Sequence, residues 1–155
     1  MPKLCDNKSV GMLVWRNDEL LLIERKKPPF GFAPPAGHVD KDTSFEVAAK
    51  RELKEEVGLE ANSIEFLIEG RKDNLCRREG GNWHYWKIYK ISTNGEIKRS
   101  DDETKQANWY DKNQIGILAK KTKNYLAGGI SEDEWIKNPG LEPVWLEWLS
   151  ELKII

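Results

Sequence analysis

GHVDKDTSFEVAAKRELKEEVGL, residues 37–59, holds the helix whose period and ends can both be read from the chain alone. Phe45, Ala48, Ala49, Leu53 and Val57 recur at helical spacing and predict one apolar stripe over roughly 44–57. Thr43, followed three positions later by Glu46, fits a capping box at the start. Gly58 stands where a helix ends in a left-handed residue. An amphipathic helix of this kind has to lie on something, and the flanking sequence supplies strands.

Upstream, SVGMLVWRNDELLLIER (9–25) reads as two apolar strands around Arg16-Asn17-Asp18-Glu19, a hairpin because Asn and Asp tolerate tight-turn geometry. KKPPFGFAPPAGH (26–38) carries four prolines, which forbid a helix and describe an ordered loop. Downstream, residues 63–70, 82–91 and 106–111 read as strands, with a turn at Asn94-Gly95. Residues 115–129 and 142–155 read as helices, joined by a loop that contains Pro139 and Gly140. Strands alternating with a few helices indicate an α/β domain with a mixed sheet. No repeat or linker divides the chain, so residues 1–155 are expected to form one domain.

Charge narrows the function. Lys and Arg number 25 against 26 Asp and Glu, for a net charge of −1. No global field draws the chain to nucleic acid or an anionic membrane, and any phosphate must be met by a local site. No run approaches membrane-spanning length, and the first ten residues lack the apolar stretch of a secretory signal. Cys5 and Cys76 have no metal-type spacing, which favours two free thiols in a reducing cytoplasm over one disulfide.

The polar face of the helix is the chemically distinctive part. At about 100° per residue, Glu52, Glu55 and Glu56 share an arc of about 100° outside the apolar stripe. Close carboxylates repel unless a cation or guanidinium neutralises them, and hard divalent cations prefer oxygen ligands. A solvated face paired with Lys50, Arg51 and Lys54 accounts equally for RELKEE taken alone.

The whole stretch 37–59 resembles the Nudix box, whose pattern is Gly, five residues, Glu, seven residues, then Arg-Glu-aliphatic-any-Glu-Glu-any-Gly-aliphatic. Gly37, Arg51, Glu52, Leu53, Glu55, Glu56, Gly58 and Leu59 all fall in register with it. Thr43 stands where the family has its first Glu, a residue that pairs with the box arginine. Asp42 and Glu46 are the nearby acidic substitutes. The resemblance implies an α/β/α sandwich, a mixed β-sheet flanked by helices. It also implies hydrolysis of a pyrophosphate bond in a nucleoside diphosphate-linked compound. Glu52, Glu55 and Glu56, assisted by the Gly37 carbonyl, would hold Mg²⁺ or Mn²⁺, and Arg51 would orient Glu52. The general base would be Glu52 or an acidic residue outside the box, here Glu103 in SDDETKQANWYD. A nucleotide-binding sensor or regulator without turnover is the alternative, and Thr43 is its support.

Substrate-binding residues are not assigned. Arg71, Lys72, Arg77 and Arg78 concentrate positive charge in one loop, either to meet a phosphate or as a solvated hairpin tip, the second being preferred. Seven tryptophans are expected mostly in the core, with Trp145 and Trp148 on a helix face against the sheet. His38 lies next to the box glycine, and His84 reads as a structural histidine within a strand. The partner is expected to be a small nucleotide-type substrate, and monomer and homodimer both remain open.

Overall fold

Asn17 and Asp18 adopt φ of 50° and 64°, the left-handed pair that joins two strands with the correct twist. They connect β1 (Lys8–Arg16) to β2 (Glu19–Arg25) in the computed structural model, which describes residues 3–155. Positions 1 and 2 of the N-terminal stretch lie outside the described residues. The proline-rich loop is ordered and contributes two short strands, β3 (Phe32–Ala33) and β4 (Ala36–His38). After them come α1 (Phe45–Val57), β5 (Glu60–Lys72), β6 (His84–Asn94), β7 (Thr104–Tyr110), α2 (Lys112–Leu126), α3 (Glu132–Lys137) and α4 (Pro143–Glu151).

The strands run in the order β3-β2-β1-β6-β5, with β4 also on β1 and β7 on β2. β1 and β6 are parallel, Lys8 to Val14 facing Tyr85 to Ile91, and the remaining pairings are antiparallel, so the sheet is mixed. Side chains alternate between its two faces. Val10, Met12, Val14, Leu21 and Ile23 pack against Ala48, Ala49, Leu53 and Val57 of α1. Leu13, Leu20, Leu22, Trp86 and Ile88 pack against Ile115 of α2 and Trp145, Trp148 and Leu149 of α4. The predicted α/β/α sandwich is the observed architecture.

Trp145 and Trp148 are buried as expected, and both meet Trp86 edge to face at centroid distances of 5.6 and 6.4 Å. Gly11 makes room for the first of them, because a Cβ there would strike the Trp145 ring. Gly58 closes α1 at φ 71°. The expected cap at Thr43 is corrected by one residue: Ser44 is the N-cap, its Oγ accepting from the Val47 amide at 3.1 Å. α3 was not anticipated. Ser131 caps it, and it is held by Trp135 stacking on Tyr125 at 4.0 Å.

Candidate functional site

β4 carries Gly37 across the start of the glutamate face of α1, and the approach is close. A Cβ on Gly37 would land on the Glu52 carboxyl group. Only glycine permits that contact. Glu52 and Glu56 point into a cavity of about 180 Å³, together with Glu103 and Glu142. Glu56 is 4% exposed, whereas the Glu55 side chain stays 56% exposed at the rim. The solvated-face reading therefore fails for Glu52 and Glu56 and holds only in part for Glu55.

Arg51 is spoken for by the protein. Its Nε donates to Asp42 at 2.8 Å and its Nη1 to Glu52 and Glu55 at 3.0 and 3.1 Å. Its Nη2 donates to the His38 carbonyl at 2.9 Å. Burial works against its charge, but the Asp42 bond and the Glu52 charge outweigh that and raise its pKa. Asp42 thus supplies the carboxylate that Thr43 cannot.

Burial disfavours the charged form of these carboxylates more than the neighbouring cations favour it. Burial pushes Glu52 up to about 7, with the charges of Glu55 and Glu103 adding to it against the pull of Arg51. Burial and the neighbouring Glu52 charge push Glu56 well above the ordinary carboxylate range, opposed by Arg25. Burial likewise raises Glu142, again against Arg25. Glu52 and Glu56, with a glycine backbone pressed against the first, offer the kind of oxygen donors a hard divalent cation prefers, while Glu55 lies outside the cavity lining on Arg51. Such an ion would favour the charged form of these buried carboxylates.

The lining also has a basic part. Arg25 and Lys27 come from the end of β2 and the loop after it, and Arg77 and Arg78 from the β5–β6 loop. The expectation of a solvated hairpin tip is corrected for Arg78, while Arg77 stays exposed at the cavity's edge. Both Nη atoms of Arg78 engage Asp40, which draws the loop over the cavity. Arg71 and Lys72 go elsewhere, to the Trp83 and Trp148 rings. Glu103 reaches the cavity because the β2–β7 ladder shifts register at Glu24/Arg25, and its carbonyl accepts from Lys26 at 3.0 Å. Arg25 and Glu142 carried no signal in the sequence, one being a strand-end arginine and the other a residue before a proline.

His38 also lines the cavity. Burial, then the Arg78 charge, pushes it down to about 4, so its ring is neutral at pH 7. His84 is buried, and Asn74 O lies 3.0 Å from its Nδ1.

Known proteins are similar to this chain in sequence and fold. The NUDIX domain family model covers residues 6–130. An ADP-ribose pyrophosphatase from Methanocaldococcus jannaschii is 34% identical over 126 residues, 76% of this chain and 72% of that protein. The 8-oxo-dGDP phosphatase NUDT18 of Danio rerio is 29% identical over 137 residues. That match takes in 84% of this chain, which spans only 39% of the zebrafish protein's length. The dihydroneopterin triphosphate pyrophosphohydrolase of E. coli superposes with a TM-score of 0.63 at 18% identity, over 81% of this chain and 94% of that one. At that identity the likeness is one of fold. The family match over residues 6–130 and the 34% identity to a curated pyrophosphatase lead to one conclusion: the chain belongs to the Nudix hydrolase family.

Proposed function

We propose that the chain cleaves a pyrophosphate bond in a nucleotide or nucleotide derivative. Glu52, Glu55, Glu56 and the Gly37 carbonyl would hold Mg²⁺ or Mn²⁺. The observation that carries this reading is the buried Glu52–Glu56 pair, raised in pKa in a cavity also lined by arginine and lysine. A bound divalent cation neutralises phosphate oxygens and acidifies an attacking water. Arg51 keeps Glu52 in place through its four bonds and touches no substrate. The basic wall of Arg25, Lys27, Arg77 and Arg78 receives the remaining phosphate charge. Glu52 and Glu103 both face the cavity, and either is placed to accept the proton of the water.

The sensor reading rested on Thr43, and the Asp42–Arg51 pair removes its ground. Two free thiols support a reducing cytoplasm as the compartment. No helix among the described residues is long and apolar enough to cross a membrane.

The test is turnover of a panel with Mg²⁺ or Mn²⁺: nucleoside triphosphates, oxidised guanine nucleotides, dinucleoside polyphosphates, nucleotide sugars, ADP-ribose and NADH. Metal-dependent cleavage of at least one is expected. No turnover of any, combined with tight nucleotide binding by calorimetry, overturns the hydrolase in favour of the sensor.

Asp42 and Thr43 separate sharply in this scheme. Asp42→Ala is expected to weaken Mg²⁺ binding by about 10–100-fold, the usual cost of losing a group that orients a metal ligand. Asp42→Glu should recover part of the loss. Thr43→Ala, one residue away, should change binding by less than about twofold, because the helix cap is Ser44. Equal effects at the two positions would remove Asp42 from its assigned part.

A further inference from the structure

Four side chains of a different chemistry converge as well, Cys5, His38, Cys76 and His84, the last three lining the same cavity as the carboxylates. One ligating atom from each lies within 4.8 Å of the others. They come from four places: the N-terminal arm before β1, the end of β4, the β5–β6 loop and the first residue of β6. We propose that these residues form a tetrahedral zinc site that pins the N-terminal arm and the β5–β6 loop to the sheet beside the cavity.

The distances fit the ion. Zn–S bonds of about 2.3 Å and Zn–N bonds of about 2.0–2.1 Å set two thiolates about 3.8 Å apart. They set sulfur and nitrogen about 3.5 Å apart. The Cys5 and Cys76 sulfurs are 3.8 Å apart, and Cys5 Sγ is 3.4 Å from His84 Nε2. A disulfide needs about 2.0–2.1 Å between sulfurs, so the observed separation is that of a tetrahedral edge.

The surroundings are arranged as a ligand shell requires. Each sulfur accepts a backbone N–H from the residue two positions on: Asn7 N to Cys5 Sγ at 3.3 Å and Arg78 N to Cys76 Sγ at 3.4 Å. Each such N–H favours thiolate charge, in Cys5 against the burial that raises its thiol and that a bound cation would offset. His84 Nδ1 donates to the Asn74 carbonyl, which fixes the tautomer and leaves Nε2 facing Cys5. His38 Nε2 is buried and has no hydrogen-bond partner among the described residues, a cost that a metal bond would remove. Gly81 is needed as well, since a Cβ there would strike Cys76 Sγ.

Two thiolates and two neutral imidazoles select zinc over magnesium, which prefers oxygen. Binding releases the two thiol protons, and the two thiolate charges cancel those of the ion. Four protein ligands close the shell, so the site is structural. It is distinct from the carboxylate centre, yet the two are joined: Arg51 donates to the backbone carbonyl of His38, and Arg78 follows Cys76 by two residues. Holding the loop in place therefore also holds the basic wall of the cavity.

The full chain, expressed with zinc in the medium and dialysed against a mild chelator, should retain about one zinc per chain by elemental analysis. Cys5→Ser and Cys76→Ser should each fall below about a tenth of that. Glu55→Gln with Glu56→Gln should keep its zinc, which separates this site from the carboxylate centre whether or not the chain turns over nucleotides. Cobalt-substituted wild-type protein needs no variant to fold. It should show the intense visible bands of tetrahedral Co²⁺ and sulfur-to-metal charge transfer in the near ultraviolet. Wild type without retained zinc, a six-coordinate cobalt spectrum without charge transfer, unchanged zinc in both cysteine variants, or a Cys5–Cys76 disulfide in the fresh protein would each overturn the proposal.

Discussion

Glu55→Gln combined with Glu56→Gln is expected to lower Mg²⁺-dependent turnover by at least about 10³-fold, a loss of about 4 kcal/mol in the barrier term. In the absence of metal the same variant should unfold at a higher temperature than wild type, by several degrees. The opposite signs follow from burial. Glu52 and Glu56 are both raised above an ordinary value near 4.5, Glu52 to about 7, so the folded metal-free chain holds protons that the unfolded chain has released. Each unit of that difference corresponds to about 1.4 kcal/mol. Stability from these groups is fully present below the unfolded value and falls as pH rises through the folded one, because the folded state binds more protons in that window. A glutamine at 56 keeps the shape and removes the penalty. Thermal melts at pH 5 and pH 8 without metal give the check: wild type should lose stability at the higher pH more steeply than the variant. Retained turnover, or a variant less stable than wild type at pH 8, contradicts the assignment of Glu56 as a buried metal ligand.

The largest effect on stability is expected at the far face of the sheet. Trp145→Ala should destabilise the chain by about 3–5 kcal/mol, the usual cost of emptying a fully buried aromatic site. Trp145 is 0% exposed and lies over Gly11 and against Trp86, so nearby groups have little room to collapse into the space. Trp145→Phe should cost clearly less, because the indole Nε1 is buried without a hydrogen-bond partner and its removal loses no bond. Denaturant melts of the two variants give both numbers. A Trp145→Ala cost below about 1 kcal/mol would show that α4 is not a principal part of the core.

What the sequence revealed depended on how local each feature is. The helix over 45–57 and its glutamate face are legible because period, cap and closing glycine all lie within the single segment from Ser44 to Gly58. The cap itself is off by one, since Thr43 and Ser44 are both good N-caps and only backbone geometry chooses between them. The hairpin at Asn17-Asp18 is legible for the same local reason. The β5–β6 loop is not. Its composition says basic and solvated, and pairings distant in sequence, Arg78 with Asp40 across 38 positions and Glu79 with the N-terminal arm, hold it at the cavity.

Cys5 and Cys76 show the limit most plainly. Their sequence separation carries no metal signature, because the ligands are gathered by the parallel pairing of β1 with β6 and of Leu4 with Glu79. Arg25 and Glu142 enter the cavity through the ends of β2 and α4, where sequence offers nothing to mark them. Asp42 was visible as a substitute for the missing box glutamate, but its 2.8 Å bond to Arg51 had to be seen.

Binding of Mn²⁺ followed by electron paramagnetic resonance reads the carboxylate centre directly, without any choice of substrate. Wild-type protein is expected to bind at least one Mn²⁺ per chain, more tightly as pH rises through about 7, where Glu52 gives up its proton. The Glu55→Gln, Glu56→Gln variant should leave the ion free in solution. Equal Mn²⁺ binding by the two proteins would contradict the assignment of the metal to Glu52, Glu55 and Glu56.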